Sequence, residues 1–391
     1  MKLDGLRVID LSLFLPGPAM TQMMADHGAE VIKIEPPGGE PNREIGLKRD
    51  GVSVFFANTH RGKKSMALNL KHEAGVEALL RLAETADVFV EAFRPGVVDR
   101  LGVGPAMVRG RAPRLVYASL SAYGQTGPYA ERPAHDPAVQ AMAGTLSVNE
   151  GKDGKPTMTG VAIADMLVAQ MGLAGVMMAL YRRETTGEGE YLDLSMMDAL
   201  IAAVPNNLGP PMVEKRAPVV KEERAWGGQA MLNIYETKDG RFIVLGGAEL
   251  KFAANLLGAF GRDDLIKLCK QPPGKAQAPV IDFLRDLFLA KTQQEWIAWM
   301  ADKDIAFSPI QNLREALDDP HLRARQMVIE DGRGWEHVGN PLHFTNEPPQ
   351  PHLSLPTIGE HSIEILEALD YAKAEIDELV DAGTVVRPGH Q

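Results

Sequence analysis

The chain has 391 residues, 45% of them hydrophobic and 24% charged, a balance that fits a globular protein and excludes general disorder. A formal net charge of -11 argues against a nucleic-acid partner, because neutralising phosphates requires a basic surface. The single cysteine, Cys269, excludes internal disulfides and thiolate metal cages.

The N-terminal residues enter a strand directly, with no signal-peptide core, and no run of about 18 apolar residues stands out as a membrane span. A cytoplasmic protein with no membrane partner is therefore expected, and its length suggests two domains. Residues 6–11 read as a strand, 14–18 as a turn, 19–26 as a helix and 31–35 as a second strand, with Gly28 near the helix C-cap. That is a βαβ unit, but its first turn is Leu-Pro-Gly-Pro and lacks the Gly-x-Gly-x-x-Gly of dinucleotide sites. Its prolines also remove N–H groups that a pyrophosphate would need, so a nicotinamide cofactor is not expected. A helix over 71–86, a strand over 88–91, a loop at 94–96, a helix from Val97 and a strand over 115–120 follow. Strands alternating with helices predict a parallel, doubly wound sheet of nucleotide-fold (Rossmann-like) type. Residues 165–182 form an almost uniformly apolar helix, suited to deep burial or a subunit interface. A turn over 186–189, a strand over 191–194 and a helix from Ser195 come next. The composition then changes. Residues 1–204 are assigned to a large domain, 205–225 to a Pro- and charge-rich linker, 226–330 to a smaller α+β domain and 331–391 to a return into the large one. The smaller domain contains a hairpin about Asp239-Gly240 and a helix over 292–300.

Three residues suit proton handling. His135 lies in a Gly/Pro-punctuated loop after the 115–120 strand, Asp165 is the only charge in 160–169, and Glu249 follows the 242–247 strand. Each also has an ordinary structural explanation: a loop histidine on a carbonyl, an N-cap aspartate, a glutamate at a helix N-terminus. Together, an imidazole and two carboxylates at element ends are the equipment of general acid–base chemistry. Metal binding is disfavoured, because His135-Asp136 is an adjacent pair poorly spaced for one ion.

Several segments occur in an order that carries a resemblance. They are Asp10-Leu-Ser-Leu-Phe-Leu-Pro-Gly-Pro18, Gly28-Ala-Glu-Val-Ile-Lys-Ile-Glu-Pro36, Asn58-Thr-His-Arg-Gly-Lys-Lys-Ser65, Phe93-Arg-Pro-Gly-Val97, Ser121-Ala-Tyr-Gly-Gln-Thr-Gly-Pro128, Gly187-Glu-Gly-Glu190 with Ser195-Met-Met-Asp198, and Gly359-Glu-His361. Over nearly its whole length the chain closely resembles the family III CoA-transferases, which include carnitine CoA-transferases, formyl-CoA transferase and α-methylacyl-CoA racemase. The resemblance implies two domains in an interlocked homodimer, with CoA lying across the large domain and its thioester reaching the cleft between domains. The substrate is then an acyl-CoA, and no cofactor beyond that CoA is expected. In the transferases the aspartate matching Asp165 attacks the thioester and forms a mixed anhydride. In the racemases it is an acid/base opposite a histidine assisted by a glutamate.

Arg132-Pro-Ala-His-Asp136 and Gly247-Ala-Glu-Leu-Lys-Phe252 match the racemase histidine and glutamate segments, with Ala134 in place of a glycine. The site residues implied are Asp165, His135 and Glu249, and α-methylacyl-CoA racemase-type proton transfer is the first expectation. The alternative is a CoA-transferase using a carboxylic acid acceptor, and Trp226-Gly-Gly-Gln229 is similar to the glycine loop covering the transferase site. A non-catalytic CoA-binding relative stays open on fold resemblance alone. An enolate would need donors, expected as backbone N–H groups at the helix start near Asp165. For the CoA phosphates the candidates are Arg94 above all, then Arg43, Arg61, Lys63, Lys64 and Arg100, with Tyr123 beside them.

Overall fold

The computed structural model describes residues 1–223 and 226–387; residues 224 and 225 of the expected linker and 388–391 of the returning segment lie outside the described residues. The chain groups into two compact units. The first comprises Met1–Ala143, Gly160–Ala203 and Pro320–Gln391, and the second Gly144–Thr159 and Val204–Asp319. These limits differ from the sequence-based ones in two places. Residues 144–159 join the second unit, where the Lys221 ammonium donates to the Gly151 carbonyl at 2.8 Å. Residues 320–330 belong to the first, where Val328–Glu330 pairs antiparallel with Glu336–Val338.

The first unit is built on six parallel strands: β1 (Arg7–Asp10), β2 (Glu30–Glu35), β3 (Lys64–Ala67), β4 (Val88–Glu91), β5 (Val116–Ser121) and β6 (Tyr191–Ser195). Their order is β3-β2-β1-β4-β5-β6, the doubly wound arrangement. Because both sheet faces are covered, successive residues of a strand enter different cores. Ile9, Ile32, Phe89 and Tyr117 pack with Leu79, Leu82 and Val108. Those residues belong to α2 (Glu73–Ala83) and α3 (Pro105–Arg111). Val8, Val31, Val88 and Val116 face the other way, onto Met20, Met24, Val139 and Val168. That layer holds α1 (Pro16–Ala25), α4 (Asp136–Met142), α5 (Ile163–Thr186) and α6 (Met196–Ala202).

Helix α5 is longer than the 165–182 expected and ends at Gly187, whose φ of 76° is left-handed. By length and composition α5 is apolar enough to cross a membrane, which corrects the expectation that no such run exists. Alanine, glycine and methionine around the lone Gln170 spread that apolarity thinly. The Val168, Ala169 and Val176 side of the helix packs into the sheet core. Close approach depends on Gly172, where a Cβ would meet Met20 Sδ at 2.8 Å. On the other side Met178 and Tyr181 are exposed.

The second unit is α+β. Strands β7 (Leu232–Glu236) and β8 (Phe242–Gly246) form the expected hairpin, and β9 (Phe307–Pro309) pairs with β8. Ile243 and Leu245 pack with Leu256, Leu257, Phe288 and Trp296. Those residues lie on α7 (Leu250–Gly258), α8 (Ala278–Phe288) and α9 (Gln293–Met300). A Thr292–Glu295 capping box starts α9.

Candidate active site

Strand order in the first unit reverses between β1 and β4, which lie side by side with Val8 opposite Val88. In open α/β sheets that reversal leaves a crevice beyond the strand C-termini. A cavity of about 270 Å³ occupies it, lined by Leu13 and Phe14 after β1, Ala92 to Pro95 after β4, and Leu120 to Ala122 at the end of β5. Pro16, Ala130, Arg132, Ala134, His135, Asp165 and Met196 complete its wall. The loop after β4 is folded back by Glu91, whose carboxylate accepts the Phe93 N–H at 2.8 Å. Burial pushes the Glu91 carboxyl up to about 7.

Asp165 is the third residue of α5, not its N-cap, which is Ala162. The helix start is instead capped by Asp136, a residue weighed in the sequence only as a poorly spaced metal ligand. One Asp136 carboxylate oxygen accepts the N–H of Ala164 at 2.7 Å and of Asp165 at 3.2 Å. The Gln140 amide donates to its other oxygen. A capping contact of this kind contributes about 1 kcal/mol. It also places a second negative charge beside Asp165. Burial first, and Asp136 second, raise the Asp165 carboxyl from its ordinary 3.8 to about 7. The only sequence signal for this was the Asp-Pro pair after His135, which starts α4. The expected enolate donors are not available, because Ala164 and Asp165 give their N–H groups to Asp136 and Ile163 gives its own to the Val161 carbonyl.

His135 occupies the N-cap position of α4 without capping it through its side chain, and it is exposed on the cavity wall. Its ring meets Phe14 edge-on, centroids 5.9 Å apart. Phe14 has φ of 62°, a left-handed backbone that non-glycine residues rarely adopt. Glu40 holds it there by accepting the Phe14 N–H at 3.1 Å, and Asn42 donates to the Phe14 carbonyl. His135 and Asp165 thus line one cavity of the first unit. Glu249 belongs to the second unit, exposed at the N-cap of α7, with no side-chain capping bond.

The candidate cations divide sharply. Arg61 is buried against Asp26 at 2.8 Å, and Lys63 is buried against Asp10 at 2.9 Å. Arg43 forms a fork on Glu35 at 2.7 and 2.8 Å, and Lys64 bridges Glu30 and Glu364. The phosphate-binding expectation is corrected for Arg61 and Lys63, whose charges neutralise internal carboxylates out of contact with solvent. Arg43 and Lys64 are likewise committed to acids. Burial pushes the Asp10 carboxyl up, but the Lys33 and Lys63 ammoniums outweigh it and hold that carboxyl well below the usual carboxylate range. Arg94 is exposed and lines the cavity. Arg100 is also exposed and lines a separate groove of about 320 Å³ with Lys71 and His72. Tyr123 is absent from the cavity wall; it packs at the edge of the sheet core with its ring 5.8 Å from Tyr129.

Residues 3–362 match the model of CoA-transferase family III. The chain belongs to CoA-transferase family III. Among its relatives, the acetyl-CoA:oxalate CoA-transferase of Acetobacter aceti is 34% identical, over 88% of this chain and 89% of that one. A probable fatty acyl-CoA transferase of Mycobacterium tuberculosis is 32% identical, over 93% and 97%. The succinyl-CoA:mesaconate CoA-transferase of Haloarcula marismortui is 30% identical, over 93% and 96%. The crystal structure of a CAIB/BAIF family protein from Brucella suis superposes with a TM-score of 0.82 at 27% identity, covering 94% of this chain and 99% of its own. This family III enzyme therefore shares its mixed α/β fold and parallel sheet with that structure.

Proposed function

We propose that this family III enzyme moves CoA from an acyl-CoA to a carboxylic acid through a mixed anhydride on Asp165. The observation that carries the reading is the half-buried Asp165 carboxyl, its pKa raised to about 7, at the switch-point crevice with Arg94 on the same wall. Loss of hydration makes such a carboxylate a better nucleophile once deprotonated. An Asp165 oxygen attacks the thioester carbon, the C–S bond breaks, and CoA leaves as the thiolate. The thiolate then attacks the Asp165 carbonyl carbon, releasing the first acid as its carboxylate and leaving an aspartyl thioester. Attack by the acceptor carboxylate expels the thiolate again. Its return to the acceptor's acyl carbon regenerates Asp165. Arg94, at a strand C-terminus, and Arg100, on its groove, are the cations assigned to the CoA phosphates. The oxalate and mesaconate in the relatives' names support a carboxylic acid as acceptor.

A second reading, α-proton transfer of the acyl-CoA racemase type, rests on His135 and Asp165 lining one cavity. An acid near pH 7 opposite an imidazole suits that chemistry. Assistance from Glu249 is part of that reading alone. The proposal also includes a cytoplasmic homodimer with no cofactor beyond the substrate's CoA, and the exposed Met178 and Tyr181 of α5 support an interface.

The test is to incubate the enzyme with an acyl-CoA in D2O, with and without an acceptor acid, and to trap with hydroxylamine. Transfer predicts an acyl hydroxamate and mass labelling confined to Asp165. Deuterium entering the α position with no adduct would sink the transferase reading in favour of the racemase one.

A further inference from the structure

Phe14 stands in the loop after β1 with φ of 62°, a left-handed backbone that a bulky side chain rarely adopts. Such a conformation persists only where its surroundings over-determine it. Here the Glu40 carboxylate accepts the Phe14 N–H at 3.1 Å, and the Asn42 amide donates to the Phe14 carbonyl. Behind them the Lys33 ammonium lies 3.6 Å from Glu40 and 3.4 Å from Asp10, and it donates to the Ser12 carbonyl. Asp10, Lys33, Glu40 and Asn42 are all buried. The ring held by this framework belongs to no core. Phe14 is 39% exposed, on the wall of the cavity that contains Asp165. Burial of the ring therefore does not offset the backbone strain, and strain of this kind collects at ligand sites. A thioester carbon that reacts with Asp165 comes within about 3–3.5 Å of a carboxylate oxygen. The acyl group then shares a cavity of about 270 Å³ with the Phe14 ring. That is below the roughly 300–1,000 Å³ usual for drug-sized ligands.

We propose that Phe14 is a specificity-determining residue that limits the length of the acyl group delivered to Asp165, and that Glu40 is the positioning residue that fixes its ring. The proposal deepens the transferase reading and rests on it. The limit is steric. The ring occupies space that the further methylenes of a longer acyl chain need, and the buried framework keeps it from swinging aside. A fitted site discriminates a single methylene by about 10-fold or more.

The experiment follows acyl hydroxamate formed by the full-length enzyme from acetyl-CoA or hexanoyl-CoA in the presence of hydroxylamine, with Asp165→Ala as background. The quantity read is the hexanoyl-to-acetyl ratio of kcat/KM. In Phe14→Gly, whose backbone adopts the left-handed conformation without strain, that ratio should rise by about 10-fold or more. Phe14→Leu should fall between the two. Glu40→Ala should also raise the ratio, because Phe14 loses the acceptor of its N–H while Lys33 keeps Asp10. Glu40→Gln still offers an oxygen and should hold the wild-type ratio. Where circular dichroism shows Glu40→Ala misfolded, Asn42→Ala takes its place. Combining Phe14→Gly with Glu40→Ala should match Phe14→Gly alone, since no ring is left to position. An unchanged ratio in Phe14→Gly overturns the proposal. An equal fall for both thioesters also overturns it, because the ring would then serve His135, which it meets edge-on. A wild-type ratio in Glu40→Ala, or a shift that adds to that of Phe14→Gly, overturns the positioning role. No hydroxamate above background from wild type with either thioester removes the transferase reading and the proposal with it. Hydroxamate at an unchanged ratio removes the proposal alone.

Discussion

Replacing Asp165 with asparagine should stabilise the protein at alkaline pH and leave it nearly unchanged in acid. The carboxyl titrates near 3.8 when unfolded and near 7 when folded, because burial and Asp136 both oppose its charge. A raised folded pKa means that the native state holds its proton more tightly. Its contribution is therefore fully present below about pH 4 and is lost as pH rises through 7. Over that span, at about 1.4 kcal/mol per pH unit, the effect is bounded at about 4 kcal/mol. Partial exposure of Asp165 to solvent screens the charge, and about 2 kcal/mol is a fair expectation. Asparagine keeps the shape and carries no charge to desolvate. Denaturant unfolding of both proteins at pH 5, 7 and 9 should show an advantage for Asp165→Asn that grows with pH and levels off above about 8. An advantage independent of pH, or a variant less stable throughout, would refute the electrostatic account of this site.

The same titration governs catalysis: if Asp165 is the nucleophile, kcat/KM for transfer rises with pH and flattens above about 7. Asp136→Asn removes the neighbouring charge while keeping an oxygen for the α5 N–H groups, so that inflection should move to lower pH; Asp136→Ala should in addition lose about 1 kcal/mol of stability in urea unfolding. His135→Ala should leave transfer largely intact, whereas an α-proton mechanism predicts a loss of roughly 10²- to 10⁴-fold in deuterium exchange. Asp10→Ala leaves the buried Lys63 without its acid and Lys33 with Glu40 alone, and calorimetry should register about 3–5 kcal/mol of destabilisation or failure to fold.

Most of the sheet was legible because parallel strands buried on both faces are written as short apolar runs, and 6–11, 31–35, 88–91 and 115–120 match the observed strands to within a residue or two, whereas β3, which opens on Lys64-Ser65, was not read as a strand. His135 and Asp165, singled out by their local setting, line one cavity of the first unit. The settings of the cations were not legible. Lys63 and Arg61 look like surface charges because their partners, Asp10 and Asp26, are 53 and 35 residues away in sequence. Sequence spacing reports only helical and cross-turn neighbours, and a contact across a sheet leaves no periodic trace. The same holds for Asp136, whose capping of α5 spans 28 residues. Glu249 illustrates the reverse case. Its setting at the start of a helix was read correctly, but that setting alone assigns it no chemistry.

The route of the chain through the first unit bears on its synthesis. All six strands of the main sheet have been translated by Ser195, but the core that contains Ile9 and Phe89 also needs Ile365, Leu366, Ile376 and Leu379. Those come from the two helices Ser362–Ala368 and Lys373–Asp381, made only after the whole of the second unit. At 5–20 residues per second the ribosome takes on the order of 10–40 s to cover that interval. Throughout it the α2 and α3 side of the nascent sheet lacks the share of its apolar cover that Ile365, Leu366, Ile376 and Leu379 supply, so that core closes only at the end of synthesis.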